Sequence, residues 1–347
     1  MRVSIIVPCR NEAAHVEEFL DALLRQRAPG LDLEVLVVDG MSNDGSREIV
    51  ARYATRHSSI RILANPALVV STGLNVALRA ATGDIVLRMD VHTSYADDYV
   101  LQCVRVLERT GADNVGGPWV ARGHGVVSEA IAAAFASPIV SGGGRAHAAA
   151  YEGPVDTVYL GCWRRDAFRR FGLFDEELVR NQDDEFNFRI TRAGGVVWQS
   201  PAIRSWYMPR NSLRGLYRQY FQYGYWKVRV MQKHGRPAAW RHVAPAASLL
   251  TVVLLGVGSM FLSPARWLLG GLLLAYAVAL ALGTLGLARR NGWAKLAPVL
   301  PAVFATYHAA YGMGFLLGAW DFLVRRRGPR PSLTRLTREV EGGVRGA

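Results

Sequence analysis

Apolar positions along this chain fall into two regimes. Up to about Arg210 short apolar runs alternate with amphipathic stretches; from about Val243 to Val324 Leu, Val, Ala and Gly are nearly continuous. In the first regime, the β-branched run Val3–Val7, ended by Pro8, predicts a buried strand. Ala13–Arg25 has helical period, with Val16, Phe19, Leu20, Leu23 and Leu24 on one face. Leu33–Val38 reads as a strand covered on both faces. Ser42 or Asn43 is placed to cap a helix over Gly45–Arg56. A short strand at Ile60–Leu63 follows, then a helix opened by Ser71 or Thr72 and running to Ala81. Asp84–Met89 is a strand ended by Asp90, and Tyr95–Glu108 is helical. Gly111–Val158 is less regular; its Gly-rich stretch Ser141–Arg145 reads equally as a mobile loop beside a site or a plain connection. Tyr159–Trp163 is a strand, Asp183–Arg192 a helix ended by Gly194-Gly195, and Val196–Trp198 a last short strand. This alternation predicts an α/β domain with a mostly parallel sheet.

Beyond it, Asn211 is placed to cap a helix to about His234, with Leu213, Leu216, Tyr217, Tyr220, Phe221, Gly224 and Met231 at helical spacing and Arg214, Arg218, Lys227, Arg229 and Lys233 supplying charge. Such a helix suits the lipid headgroup level; the competing reading is a domain helix packed on the sheet. Ala244–Leu262 and Trp267–Leu287 each match the length needed to cross about 30 Å of hydrocarbon, and Ser263–Arg266 between them implies a hairpin. Leu296–Val324 is a third apolar stretch. The expected organisation is a catalytic domain over 1–210, an interface helix over 211–242, a transmembrane region of two to three helices over 243–324 and a basic tail over 325–347. With the first domain cytoplasmic, the loop Arg289–Lys295 lies inside, as positive residues prefer. A third span puts Arg325–Arg327 and Arg330 outside, against that preference; otherwise the third stretch re-enters or lies in the interface. Helical spacing pairs Asp321 with Arg325.

The net charge of +13 comes almost entirely from arginine. It is compatible with nucleic acid, anionic lipid or phosphorylated substrates. No basic stripe interleaved with exposed aromatics marks the first half, which argues against nucleic acid; arginines beside apolar spans fit lipid. Cys9, Cys103 and Cys162 lack metal spacing and read as buried packing in a reducing compartment. The apolar N-terminus is too short for a signal peptide, so the domain is expected in the cytoplasm. The spans carry too few polar residues to line a transport path.

Polar residues follow three strands: Asn11 and Glu12, then Asp39, then Asp90 and His92. Strand ends of an open α/β sheet deliver side chains to one crevice. Asp90-x-His92 offers a carboxylate and an imidazole for Mg²⁺ or Mn²⁺, completed by diphosphate oxygens. Asp183-Asp184-Glu185 offers a general base, or simply acidic residues suited to a helix's first turn. No Gly-x-Gly-x-x-Gly follows the first strand, so a dinucleotide cofactor is not indicated.

These residues resemble a known family. The chain is similar to inverting family 2 glycosyltransferases of the GT-A fold, especially the exopolysaccharide glucosyltransferases of succinoglycan type, over roughly Val3–Lys227. The likeness rests on Ile5–Glu12, Val37–Gly45, Ser71–Asn75, Met89–His92, Gly172–Glu176 and Asn181–Arg189. It implies that Pro8, Asn11 and Glu12 line a nucleoside pocket, that Asp39 accepts from the uracil ring, and that Asn75 belongs to the donor site. Asp90 would hold metal and donor, Asp183 would be the base, and Arg189 would brace its helix. Asp184, Glu185, Arg189, Gln219, Tyr223, Gly224 and Lys227 would lie toward the acceptor and diphosphate. His92 stands where the family has a second Asp, Gln182 where it has Glu, and Leu74 where many relatives carry a basic residue. The implied activity is membrane-bound transfer, with inversion, of glucose from UDP-glucose onto a polyprenyl-diphosphate-linked saccharide. Transfer onto polyprenyl phosphate is the alternative, and a catalytically inactive nucleotide-sugar-binding scaffold the reading from another class.

Overall fold

The computed structural model of the chain describes residues 1–237, 239–289 and 293–334. Of the expectations above, those for residues 290–292 of the basic loop and 335–347 of the tail lie outside the described residues.

The elements run β1 (Arg2–Cys9), α1 (Val16–Leu24), β2 (Asp32–Asp39), α2 (Ser46–Arg56), β3 (Ile60–Ala64), α3 (Val70–Ala80), β4 (Ile85–Arg88), β5 (Thr93–Tyr95), α4 (Tyr99–Thr110), β6 (Asn114–Gly117) and β7 (Val120–Ala121). Then come α5 (Val126–Phe135), α6 (Pro138–Ser141), β8 (Gly153–Pro154), β9 (Tyr159–Arg164), α7 (Ala167–Phe171), α8 (Gln182–Arg192), β10 (Val197–Gln199) and β11 (Ser205–Tyr207). Four longer helices follow: α9 (Leu213–His234), α10 (Ala244–Gly258), α11 (Ser263–Arg289) and α12 (Leu300–Gly318), the last continued by a π-helical turn over Ala319–Val324. Two units result. The first holds residues 1–120 and 145–208; the second holds 121–144 and the chain from Pro209 onward.

In the first unit eight strands form one sheet in the order β3-β2-β1-β4-β9-β6-β10-β8. Strands β3, β2, β1 and β4 are parallel, as are β6 and β10. Strand β9 runs antiparallel to both its neighbours, and β8 antiparallel to β10. Strand order reverses between β1 and β4, where an open α/β sheet leaves a crevice at its carboxyl ends. The continuous apolar run of β1 is buried from Val3 to Val7, with helices supplying its cover. Trp163, Phe168, Phe174 and Phe186 form an aromatic cluster with ring centroids 5.0–6.1 Å apart, which seats α8.

Several local expectations change. Neither Ser42 nor Asn43 caps α2: Gly45 holds that position at φ +96°, and Asp44 accepts from the Ser46 N–H at 3.0 Å. Helix α3 begins at Val70, one residue before Ser71, and Thr72 donates back to the Val69 carbonyl. The Tyr95–Glu108 stretch splits, because Thr93–Tyr95 pairs antiparallel with β11 and the helix starts only at Tyr99. Ser212, not Asn211, caps α9, accepting from the Gly215 N–H at 3.1 Å.

In the second unit, α9 is enclosed on all sides over Gly224–Val228 and buries Leu216 and Gln219 nearer its start. It lies against α12 with almost no side chains between. A Cβ on Gly224 would stand 2.1 Å from the Tyr311 carbonyl oxygen, and one on Gly314 2.0 Å from that of Phe221. The helix is therefore packed against protein at these glycines. Helices α5 and α6 join this unit: Tyr307 donates to the Ile131 carbonyl, His308 Nε2 lies 2.9 Å from that of Ile139, and Lys295 pairs with Glu129 at 2.7 Å. Asp321 pairs with Arg330, at 2.6 and 3.0 Å, and not with Arg325. The π-helical turn changes the spacing there, and Arg325 stacks over Trp320 instead.

Among the described residues one helix, Ser263–Arg289, is long and apolar enough to cross a membrane. Helix α10 has 15 residues, about 22 Å, short of the hydrocarbon thickness. The residues expected to link the hairpin, Ser263–Arg266, are instead the first turn of α11, because Pro264 fits a helix's first positions; the turn falls at Ser259–Leu262.

Candidate functional site

The register of β1 on β2 sets Cys9 opposite Asp39, so the loops after these strands leave side by side. They are stitched together. Asn11 N–H donates to Ser42 Oγ and Asn43 N–H to Asn11 Oδ1, both at 3.0 Å. Glu12 N–H donates to Ser46 Oγ at 2.7 Å, and Ala13 N–H to Asp44 Oδ2 at 2.9 Å. Asp39, 2 % exposed, accepts from Ser42 N–H at 3.1 Å. Burial works to raise the Asp44 pKa, but the Ser46 hydroxyl and the Ala13 and Ser46 N–H groups outweigh it and hold the carboxyl below its ordinary range. Asn11 sits at φ +52°, a left-handed conformation that asparagine tolerates.

Across the switch point, β4 ends on Arg88, paired in register with Ile6. Its guanidinium grips the Asp90 carboxylate through Nε at 2.8 Å and Nη2 at 2.9 Å, and both residues are buried. Tyr95 Oη accepts from the Asp90 N–H at 2.7 Å, and Thr93 shares a 2.7 Å hydrogen bond with the Tyr159 hydroxyl. His92 Nδ1 lies 3.4 Å from Glu12 Oε1, which brings the β1 and β4 loops together, and the imidazole meets Tyr207 edge-on. Burial works to lower the Arg88 pKa, yet it stands raised, because Asp90 outweighs desolvation and the charge of Asp183 adds to it.

Asp183 arrives from the other side. Asn181, at φ +61°, turns the chain sharply into α8, and Asp184 N–H donates to Asp183 Oδ1 at 2.9 Å. Arg189 braces its helix through Glu185, both placed by expectation toward the acceptor region. Glu185 is buried and bound by both ends of the Arg189 fork, and Arg189 also donates to the carbonyls of Phe171 and Leu173. Asn187 accepts from Asn114 at 2.6 Å, tying α8 to β6. Asn75 is likewise structural. Its amide hydrogens go to the Phe174 carbonyl and Glu176, its oxygen accepts from Phe174 N–H, and it is 1 % exposed, so it holds the Gly172–Glu176 turn.

Asp90, His92, Glu12, Asn11 and Asp39 thus gather at the β1–β4 switch point, with Asp183 close enough for its charge to act on Arg88. Gln219 and Lys227 belong to the second unit, on α9; Gln219 donates to Tyr223 at 3.3 Å, and Lys227 is buried. Gly224 serves the α9–α12 crossing. Sequence reasoning missed Arg88, Asp44, Ser46 and Tyr95. Arg88 left a signal: a lone arginine ending the apolar strand Ile85-Val86-Leu87.

The donors fit a hard divalent cation that takes most of its ligands from elsewhere. Among the described residues no group of three His, Cys, Asp or Glu is arranged to hold a metal. Asp90 would offer such a cation a carboxylate and His92 an imidazole, whose Nδ1 lies toward Glu12. Mg²⁺ and Mn²⁺ are commonly held by one or two such side chains plus substrate phosphates.

The sheet order, its crevice and the flanking helices define a GT-A-like α/β fold. A mannosyltransferase from Pyrobaculum calidifontis, solved with GDP-Man and Mn²⁺, shares this fold with a TM-score of 0.58 at 23% identity, over 89% of this chain and 86% of that one. The model of "Glycosyl transferase family 2" matches residues 4–172. The succinoglycan biosynthesis protein ExoA of Rhizobium meliloti (strain 1021) is 32% identical over 332 residues, covering 93% of this chain and 96% of that protein. A dolichyl N-acetyl-alpha-D-glucosaminyl phosphate 3-beta-D-2,3-diacetamido-2,3-dideoxy-beta-D-glucuronosyltransferase of Methanococcus voltae is 24% identical over 91% of this chain and 96% of that protein. The chain belongs to glycosyl transferase family 2.

Proposed function

We propose that this glycosyltransferase moves glucose from UDP-glucose, with inversion, onto a polyprenyl-diphosphate-linked saccharide during synthesis of an exopolysaccharide or cell-surface glycan. The observation that carries the reading is the grouping at the β1–β4 switch point: Asp90, held by the Arg88 fork at 2.8 and 2.9 Å, beside His92 and Glu12, 3.4 Å apart. Pro8, Asn11, Glu12 and Asp39 line the nucleoside pocket, and Asp39 accepts from the base. Asp183 takes the acceptor hydroxyl proton as that oxygen attacks the anomeric carbon from the face opposite the diphosphate, giving a β product. Asp90, with His92, holds a divalent cation that would neutralise charge on the departing diphosphate. Gln219 and Lys227 on α9 serve the acceptor or diphosphate.

In the same reading the catalytic part spans 1–210, and the apolar part over 243–324 meets a bilayer from the cytoplasmic side, through more than one helix. Helix α11 supports a lipid face: Trp267 is 84 % exposed, Leu274 66 % and Leu282 64 %, a strip too large and apolar to be left in water. The Methanococcus voltae relative, named for a dolichyl-phosphate-linked sugar, supports a lipid-linked acceptor, and the succinoglycan biosynthesis protein supports a polysaccharide product.

The purified full chain, incubated with radiolabelled UDP-glucose and Mn²⁺ or Mg²⁺, should move label into a polyprenyl-diphosphate saccharide extractable into organic solvent. Label in polyprenyl phosphate instead would redirect the acceptor. No labelled lipid from any nucleotide sugar would refute the reading.

A further inference from the structure

A buried guanidinium beside the proposed metal ligand needs an account. Strand β4 is otherwise Ile85, Val86 and Leu87, each at most 1 % exposed, and Arg88 ends it at 7 %. Burying this charge is costly unless it is paired, and Asp90 pairs it at 2.8 and 2.9 Å in fork geometry. Among the described residues the third prong, Nη1, is buried with no hydrogen-bond partner. Asp90 therefore does not answer the whole donor capacity of Arg88, and the next acidic charge that reaches it is Asp183.

Charge bookkeeping gives this a consequence. Both Asp90 oxygens are taken by the Arg88 fork at the point where a dication has to bind, so an incoming cation competes with a resident positive charge, with Glu12 against His92 as a further carboxylate. The chain's other proposed donor is an imidazole, and among the described residues no group of three His, Cys, Asp or Glu is arranged to hold a metal. A dication arriving alone meets a neutralised carboxylate and a fixed positive charge beside it; at such range in a protein that repulsion is several-fold stronger than in water. A nucleotide diphosphate reverses the balance by bringing its own negative oxygens.

We propose that Arg88 is a positioning residue and resident counter-ion of Asp90, which makes divalent-metal binding conditional on the nucleotide diphosphate. The inference rests on the donor-site reading above. Arg88 holds the Asp90 carboxylate in one orientation while the site is empty, and suppresses metal capture without donor.

The test measures Mn²⁺ binding to the detergent-purified full chain by the electron paramagnetic resonance of free Mn²⁺, alone and with UDP or GDP. The wild type should bind Mn²⁺ at least tenfold more tightly with nucleotide than without. Arg88→Met should bind Mn²⁺ alone at least tenfold more tightly than the wild type, so that the nucleotide effect shrinks. Arg88→Lys keeps the charge and should keep weak binding of Mn²⁺ alone; Asp90→Asn should abolish the gain in an Arg88→Met background. If Arg88→Met loses its native circular dichroism, Arg88→Gln takes its place in the same comparison. Equal affinity for Mn²⁺ alone in the wild type and the neutral variant would overturn the proposal. A wild type that binds neither nucleotide would instead overturn the donor-site reading, and the metal-only comparison would still decide the part played by Arg88.

Discussion

Arg189 reaches one helical turn back to Glu185 with both ends of its fork, Nε to Oε1 at 2.8 Å and Nη2 to Oε2 at 2.9 Å. The Glu185 side chain is 4 % exposed, and Arg189 also holds the carbonyls of Phe171 and Leu173, so one side chain fastens the preceding turn to α8. Arg189→Ala leaves a buried carboxylate without its cation and should lower stability by about 3 kcal/mol. Arg189→Lys should recover only part, because an ammonium cannot reproduce the fork. Urea unfolding of the first unit's signal checks this; identical midpoints for the three proteins would contradict it.

Asp183→Asn keeps the shape of the helix start and removes the proton acceptor. Transfer should fall about 10³-fold while nucleotide affinity stays unchanged. Product formation and calorimetric titration with UDP or GDP separate the two effects. An asparagine variant of normal activity would place the base elsewhere.

Glu34 gives a pH dependence of stability at the amino end of the sheet, far along β2 from Asp39. Burial works to raise its pKa, but Ser4 Oγ at 2.6 Å, Thr82 N–H at 2.9 Å, Thr82 Oγ1 at 3.0 Å and the Arg2 charge outweigh it, so the pKa is lowered. The folded state thus favours the carboxylate, and the unfolded chain binds the proton more readily. Its contribution is complete above the ordinary glutamate value, about 4.3, and is lost as pH falls below that toward the folded value. The gap in thermal midpoint between the wild type and Glu34→Gln should be widest near neutrality and close in acid. A gap independent of pH would show that the charge of Glu34 contributes nothing.

Two glycine substitutions test the helix crossing. Gly224→Ala puts a methyl group 2.1 Å from the Tyr311 carbonyl oxygen, whereas a Cβ on Gly256 meets nothing within 4 Å. The first should cost about 2 kcal/mol and the second should be neutral or mildly stabilising. Melting in detergent distinguishes them, and equal midpoints would mean that the crossing yields freely.

The α/β order, the strands after which polar residues cluster, and the helix of Asp183 were legible because period and strand-end chemistry are local. The residues that organise the site were harder. Arg88 is informative only once β4 is known to lie between β1 and β9, where a guanidinium is left 7 % exposed. Asn75 and Glu185 looked like pocket residues because polarity does not tell which neighbour absorbs it, and their partners lie on a turn distant from Asn75 in sequence and on the following helical turn. The π-helical turn at Ala319–Val324 escaped because a change of register leaves the composition untouched. The apolar tail misled on length: hydropathy ran smoothly across Ser263, where the chain ends one turn and begins the next helix.

The crossing of α9 and α12 has a mechanical side. At Gly224, Gly314 and Gly318 carbonyl faces glycine directly and no side chain separates the two rods there, while Tyr220 and Tyr307 meet ring to ring beside them. A lean imposed on α12 by its surroundings is therefore handed to α9 undiminished, and Gln219 and Lys227, which ride on α9, travel with it.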